Sequence, residues 1–389
     1  VSRGWARRPE SLLIMRILVT GGAGFIGSNL VHHLLGNASH DAGVAIERVV
    51  TLDKLTYAGN RSSLADLDAD PRHLFVHGDI GDTALVSALL HEERIDSVMH
   101  LAAESHVDRA IDDPEQFIMT NVVGTYRLLE AFRRHLAMTG QAGRGRRVFL
   151  NVSTDEVFGS LGPDEPAFCE DTPYAPNNPY SAAKAGGDHL ARAYHHTYGL
   201  PVITVNCTNN YGPYQFPEKL LPLMIRKTLK GEPLPVYGDG LNVRDWLHVG
   251  DTCCALVMAL FRGEPGRTYL IGGNCEMRNI DVVHAVVQVV RELAPERVTK
   301  SADEWITFVR DRPGHDRRYA INPARIRNEL GWEARESFIS GLRGTVRWYL
   351  DHEEWIRRIE DGTYHGERLG ILDQAGEVRP DSTLPNFMK

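Results

Sequence analysis

Short apolar runs alternate with helix-length amphipathic stretches along the first half of the chain. The runs are "MRILV" from Met15, "ERVVTLD" ending at Asp53, "LFVHGDI" ending at Ile80, "SVMHLAA" ending at Ala103, and Val148–Val152. A sixth, "PVITVNC", starts at Pro201 and feeds a polar loop. Helical spacing occupies the intervals Ser28–Leu35, Thr83–Glu92 and Pro114–Arg134. Strands alternating with helices predict an α/β fold with a doubly wound parallel sheet, since each crossover returns over a sheet face. We expect residues 15–205 to form this domain, with segments near 240–262 returning to it. Residues 206–350 are expected to form mainly a smaller α/β substrate domain, flanked by an extension at 1–14 and a tail at 351–389.

The turn after the first run is "GGAGFIG". Gly21, Gly24 and Gly27 bring backbone N–H groups to a helix N-terminus, where pyrophosphate charge is favoured, so the sheet reads as Rossmann-like. Asp53 ends the second run, where a carboxylate accepts both adenosine ribose hydroxyls and repels a 2'-phosphate, which selects NAD over NADP. Asp79 and Ile80 end the third run, placed for adenine, and the small Ala102 and Ala103 let a cofactor pass close to the fourth. Ligands of such sheets bind outside the carboxyl ends of the strands, which puts "STDEVFG", Ser153–Gly159, at the site. Farther on, "YSAAK" opens a helix with Tyr180 and Lys184 on one face. The ammonium, with a positive nicotinamide ring, is expected to lower the phenol's pKa from about 10 toward neutrality and make Tyr180 a base for an alcohol proton. A core tyrosine beside an exposed lysine is the plainer alternative.

Composition narrows the class of partner. A net charge of −8 over 389 residues argues against nucleic-acid or anionic-membrane surfaces. No apolar run approaches the about 18 residues of a membrane span. Five cysteines without a CxxC pair indicate neither a disulfide framework nor zinc and fit a reducing cytoplasm. The pairs His32-His33 and His195-His196 do not converge on one ion, so no metal is expected.

The motifs GGxGFIG, the strand-end Asp53, "STDEVFG" and "YSAAK" resemble the extended short-chain dehydrogenase/reductase family that acts on nucleotide sugars. "DKLTYAGN", "AAESHVDR", "NNYGPYQFPEKL", "RDWLHV" and "DRPGHDRRYAI" are similar to its dTDP-glucose 4,6-dehydratase branch, over about Met15 to Tyr349. The resemblance implies conversion of dTDP-glucose to dTDP-4-keto-6-deoxyglucose, with NAD reduced and reoxidised within one turnover. Tyr180 and Lys184 would serve oxidation at C4, Thr154 would bond the C4 oxygen, Glu156 would be the C5 base and Asp155 the C6 acid. Implied cofactor contacts are Gly21, Gly24, Phe25, Ile26, Gly27, Asp53, Lys54, Leu55, Thr56, Asp79, Ile80, Leu101, Ala102, Ala103, Ser105, Thr120, Tyr180, Lys184 and Asn210. Implied substrate contacts are Ser105, Thr154, Asn209, Lys219, Leu220, Pro235, Tyr237, Arg244, Asn279, Arg312 and His315. Tyr237 suits stacking on thymine, and the guanidinium forks of Arg244 and Arg312 suit a diphosphate. Analogy implies a homodimer through helices of the cofactor domain. A 4-epimerase or decarboxylase of the same superfamily is the alternative, lacking a need for the adjacent acids; an NAD-sensing binding protein would need none of the five catalytic positions.

One geometric difficulty accompanies the assignment. Neighbours in a regular strand point to opposite faces, so Asp155 and Glu156 can share a target only if the backbone turns directly after Ser153. A helix start with Ser153 or Thr154 as N-cap is compatible with that turn.

Overall fold

The computed structural model describes residues 13–36, 44–140 and 145–362. Seven parallel strands make the main sheet: β1 (Leu13–Thr20), β2 (Val44–Asp53), β3 (His73–His77), β4 (Ser97–His100), β5 (Phe149–Thr154), β6 (Val202–Cys207) and β10 (Thr268–Ile271). Their order, β10-β6-β5-β4-β1-β2-β3, reverses direction between β1 and β4, the doubly wound arrangement whose ligands sit at the switch point. Every residue of β4, β5 and β6 is buried, as expected of strands covered on both faces. The first strand begins at Leu13, two residues before the sequence reading, because Leu13 and Ile14 pair with Val44 and Ala45.

Helices cover both faces. One carries α1 (Phe25–Gly36) and α8 (Val249–Arg262), through Leu30, Val31 and Leu34 against Val257 and Leu260. The other carries α2 (Thr83–Glu92), α5 (Thr125–Thr139) and α6 (Pro179–Tyr198), through Leu90, Leu128, Phe132 and Ala191. Between β4 and α5 lie α3 (Val107–Asp112) and α4 (Pro114–Ile118). The single helix expected over Pro114–Arg134 is broken by a π-helical turn at Met119–Gly124. A Cβ on Gly124 would stand 2.8 Å from Ile80 Cδ1, so the wide turn presses against the end of β3 and carries Thr120 there.

The chain leaves the main sheet at Thr208. The polar loop expected after β6 contains a short strand, β7 (Asn209–Tyr211), which pairs with β9 (Val243–His248) and through it with β11 (Glu276–Arg278). A two-stranded parallel ribbon joins β8 (Leu234–Tyr237) to β12 (Ile306–Val309). Around these pack α7 (Leu220–Lys230), α9 (Asn279–Leu293) and α10 (Phe338–Asp351), with a core of Leu221, Met224, Val283, Val286, Leu342 and Val346. Residues 1–12 and 363–389, which hold most of the expected extension and part of the tail, lie outside the described residues.

The glycine turn between β1 and α1 sets how closely helix and sheet approach. A Cβ on Gly27 would fall 2.0 Å from Gly21 O, and one on Gly21, whose φ is +72°, would fall 2.6 Å from Ala102 N. Both contacts are with backbone, which has no rotamer to yield. Gly27→Ala should therefore destabilise the protein by about 1–3 kcal/mol through overpacking, read as a lowered thermal unfolding midpoint. A midpoint equal to the parent's would show that α1 moves away without cost.

Candidate active site

A cleft runs along the carboxyl ends of β1, β2, β3, β4 and β5, floored by the glycine turn. Of the implied cofactor contacts, Gly21, Gly24, Phe25, Ile26, Gly27, Asp53, Lys54, Thr56, Asp79, Ile80, Leu101, Ala102, Ala103, Ser105, Thr120, Tyr180 and Lys184 line it. Asp53 is aimed by backbone donors: Ala23 N reaches Oδ2 at 2.9 Å and Leu55 N reaches Oδ1 at 2.8 Å. Burial raises its proton affinity and those two donors lower it. Lys54 Nζ lies 2.8 Å from Asp79 Oδ2, closing the far end of the cleft. A glycine cradle that a Cβ would fill, followed by an anchored carboxylate, fits a dinucleotide.

Two of the implied cofactor residues are placed differently. Leu55 does not line the cleft, and its contribution is the backbone N–H that holds Asp53. Asn210 turns away, because β7 directs its amide to Thr208 O at 2.8 Å and to the Thr252 hydroxyl on α8. Gln215 lines the cleft, and its Nε2 donates to Asn210 O at 2.9 Å. The sequence reading also passes over Tyr57, Glu104, Phe216 and Glu218, which line the cleft too. Gln215, Phe216 and Glu218 all fall in "NNYGPYQFPEKL", so the signal was present, but periodicity does not orient a polar loop.

The turn needed after Ser153 exists. β5 ends at Thr154, and Asp155–Phe158 form a 3-10 turn with Thr154 as N-cap, its Oγ1 accepting from Glu156 N at 3.3 Å. Thr154 Oγ1 also donates to Asp155 Oδ1 at 3.2 Å. Thr154 lines neither cavity; its placement here is that of a cap joining the two acids. Asp155 Oδ2 and Glu156 Oε2 are buried without a hydrogen-bond partner. Burial, and then the neighbouring Glu156, raises the Asp155 pKa to about 8. Burial also raises that of Glu156, opposed by Arg312, Arg244 and Lys219. Two enclosed carboxyls therefore stand side by side in different fields, and the pair holds a proton at neutral pH.

Helix α6 presents the tyrosine and lysine. Asn178 and Ser181 form a capping box, and Pro179 occupies the first turn, so the helix starts directly before Tyr180. Tyr180 is 8% exposed and Lys184 is equally enclosed, which removes the reading of a core tyrosine beside an exposed lysine. Within the protein alone, burial, then Glu156, pushes the phenol's pKa well above the ordinary value, and the expected lowering includes the charge of a bound nicotinamide ring. Lys184 Nζ is directed to Val152 O at 2.8 Å, and its own pKa is lowered by burial.

A second cavity adjoins the first and shares Ser105, Glu218 and Lys219 with it. Glu156 faces this cavity, together with the implied substrate contacts Ser105, Asn209, Lys219, Leu220, Pro235, Tyr237, Arg244, Asn279, Arg312 and His315. Lys219 precedes α7 without a side-chain cap, so the helix opens onto the cavity, and its Nζ donates to Ser105 O at 3.1 Å. Arg244 lies over the Tyr319 ring at 4.2 Å and donates to Asp316 O at 2.9 Å. Asp108, which the sequence reading missed, accepts from Arg312 Nη1 at 3.0 Å and from the Tyr237 hydroxyl at 3.1 Å. His315 Nδ1 sits 2.6 Å from Asp311 Oδ1, and burial pulls its pKa down to about 4. Four cations, Lys219, Lys227, Arg244 and Arg312, thus border one cavity, which suits a doubly charged phosphate ester.

Comparison with known proteins agrees with this chemistry. The family model described as GDP-mannose 4,6 dehydratase matches residues 18–345. The chain is 54% identical to a dTDP-glucose 4,6-dehydratase of Xanthomonas campestris pv. campestris over 353 residues, covering 91% of this chain and 98% of that one. It is 52% identical to the dTDP-glucose 4,6-dehydratase of Neisseria meningitidis serogroup B, covering 91% and 99%. Among solved structures, DesIV, a dTDP-glucose 4,6-dehydratase of Streptomyces venezuelae crystallised with NAD, superposes with a TM-score of 0.81 at 45% identity, covering 89% of this chain and all of that one. With that likeness extending over nine-tenths of its length, the chain belongs to the GDP-mannose 4,6-dehydratase family, in the branch of the dTDP-glucose 4,6-dehydratases.

Proposed function

We propose that the protein is an NAD-dependent hydro-lyase that converts dTDP-glucose to dTDP-4-keto-6-deoxyglucose. The observation that carries this reading is the enclosed Asp155–Glu156 pair, since epimerisation or decarboxylation has no use for an acid and a base side by side at the sugar. When bound, NAD supplies a two-electron acceptor that takes hydride from C4 and returns it to C6. Gly21, Gly24, Gly27 and Asp53 would hold it, and the Asp53 carboxylate would repel the 2'-phosphate of NADP.

The chain's own groups divide the proton transfers. Tyr180, brought to its phenolate by the Lys184 ammonium together with the positive ring of bound NAD, would take the C4 hydroxyl proton, and the ketone left there acidifies C5–H. Glu156 removes the C5 proton and, after exchange with solvent, would return one to C5 as hydride is restored to C6. Asp155, protonated, gives its proton to the C6 hydroxyl, which leaves as water. Thr154 joins the two acids and is assigned to the C4 oxygen. Arg244 and Arg312 are assigned to the diphosphate and Tyr237 to the base. Lys219 and the open start of α7 reinforce the anion site.

Assembly and location follow the same family reading. We infer a homodimer through α5 and α6, on whose surface and approach Ile118, Met119, Tyr126, Met138 and Tyr198 are exposed. The five cysteines are free and no helix among the described residues is long and apolar enough to cross a membrane; both fit the cytoplasmic location inferred here.

The reading is tested by incubating the protein with dTDP-glucose in heavy water and weighing the product. Loss of one water with uptake of one deuterium at C5 is expected, whereas an isomer of unchanged mass would establish epimerisation instead. Glu156→Gln should reduce turnover by about 10²–10⁴-fold while NADH still forms transiently from bound substrate. Failure to form NADH despite normal binding would remove Glu156 from the C5 step.

A pH profile tests Asp155. Its raised pKa means that the acid form is present below about 8 and is lost as pH rises through that value. Saturated turnover should therefore fall on the alkaline side near pH 8, with an apparent value belonging to the coupled pair. A rate that stays level well beyond that point would show that the C6 hydroxyl is protonated by another group.

A further inference from the structure

Helix α6 carries a third enclosed ionisable group. Asp188 lies one turn beyond Lys184 on the same face and is 4% exposed. Its Oδ1 accepts from Asn151 Nδ2 at 2.7 Å. Its Oδ2 accepts from Ser153 Oγ at 2.6 Å and the Tyr174 hydroxyl at 3.1 Å, with Asn206 Nδ2 at 3.5 Å. Asn151 and Ser153 project from one face of β5, and the carbonyl between them, Val152 O, accepts the Lys184 ammonium. Asn206 Nδ2 also donates to Thr154 O at 3.0 Å. Helix α6 is thereby fastened to the last residues of β5 immediately before the acid pair.

The donors around Asp188 favour its charged form. Both amide Nδ2 groups can only donate, and both hydroxyls are able to donate to the same oxygen, so the surroundings suit a carboxylate. Burial raises the proton affinity of Asp188, while Lys184, Ser153 and Asn151 work against that rise.

The groups facing Lys184 leave Asp188 as its counter-charge. On its own helix, burial pushes the Tyr180 phenol up, keeping it neutral. From β6, the Cys207 thiol is likewise pushed up by burial. From β4, His100 is held between the Thr20 and Thr125 hydroxyls, and burial brings its pKa down to about 3. Asp155, in the turn after β5, keeps its proton near neutrality. Burial acts to discharge Lys184, and Asp188 opposes it most strongly.

We propose that Asp188 is the positioning residue of this site: its carboxylate keeps the Lys184 ammonium charged inside the protein and fixes the end of β5 that presents Thr154, Asp155 and Glu156. The inference rests on the reading of Lys184 as part of the active site. Charge on Lys184 is required for its field to act on the C4 hydroxyl proton and on Tyr180. Fixing β5 is required because the acids follow directly on Ser153.

The test uses the full chain with lysines labelled with carbon-13 at Cε, the Lys184 signal being assigned by its loss in Lys184→Met. In the parent, Lys184 should remain protonated through neutral pH. Asp188→Asn, nearly isosteric, should lower its titration midpoint by about 1–3 units and depress turnover more at alkaline than at acid pH. Asp188→Glu, which restores the charge, should bring the midpoint back toward the parent's even if the protein melts earlier. An unchanged midpoint in a folded Asp188→Asn would overturn the proposal, as would equal loss of turnover across the pH range, the mark of a packing role alone. If Asp188→Asn does not fold, the parent titration decides: an ammonium already neutral at pH about 7 overturns it. Dehydratase turnover by the parent, measured separately, distinguishes failure of this inference from failure of the functional reading.

Discussion

Enclosing two adjacent carboxyls is the constraint on which the site depends. Water would let both ionise; burial at the end of β5 does not, and the mutual repulsion of Asp155 and Glu156 pushes the pair further toward holding a proton. Only a backbone that turns at once can place neighbours in this relation, and the 3-10 turn at Asp155–Phe158, capped by Thr154, supplies it. The turn in turn requires a fixed strand end, which the buried contacts of Asn151, Val152 and Ser153 with α6 provide.

Charge is graded across the site. Positive groups, Arg244, Arg312 and Lys219, act on Glu156 and moderate its rise, whereas Asp155 lies deeper and feels Glu156 more than any cation. The same cations border the second cavity, so the groups suited to a diphosphate also help separate the two acids in proton affinity. Filling that cavity with an anion would weaken the cations' hold on Glu156 and raise its basicity, so binding and chemistry are coupled through one set of charges.

Much of the fold was legible in the sequence because periodicity reports burial. The runs at β4, β5 and β6 are apolar since parallel strands at the centre of the sheet are covered on both faces, and the glycine turn is legible because its backbone contacts exclude a Cβ. The break at Met119–Gly124 was not, since a π-helical turn keeps helical composition and differs only in hydrogen-bond register. Nor was β7, three residues of polar sequence whose strand character comes from pairing with the distant β9. In the site, the cleft lining was legible where a motif fixes the backbone, as at Gly21 and Asp53. The orientation of Asn210 was not legible, because its strand turns the side chain toward Thr252. Asp108 was missed because its partners, Tyr237 and Arg312, lie far along the chain and meet it only after folding. Helical spacing also says nothing of desolvation, which pushes the Tyr180 phenol up while Lys184 is directed to Val152 O.

The two cavities are joined by a wall rather than separated by one. Ser105, Glu218 and Lys219 line both, and Lys219 Nζ donates to Ser105 O, tying the start of α7 to the loop after β4. Glu218 stands enclosed with neither carboxylate oxygen hydrogen-bonded, Arg109 Nε and the His106 imidazole Nε2, whose pKa burial holds well below the ordinary value, each lying 3.6 Å away. An enclosed acceptor in a shared wall favours a neutral hydroxylated group beside it over an apolar one, because only the former satisfies it. A sugar placed at that junction meets the glycine cleft on one side and the cationic cavity on the other. The acid pair is reached from the junction because Glu156 already faces the second cavity. The order of the chain, with the cofactor turn first, the acids in the middle and the cationic wall last, is therefore resolved into one short path in space by the switch of sheets at Thr208.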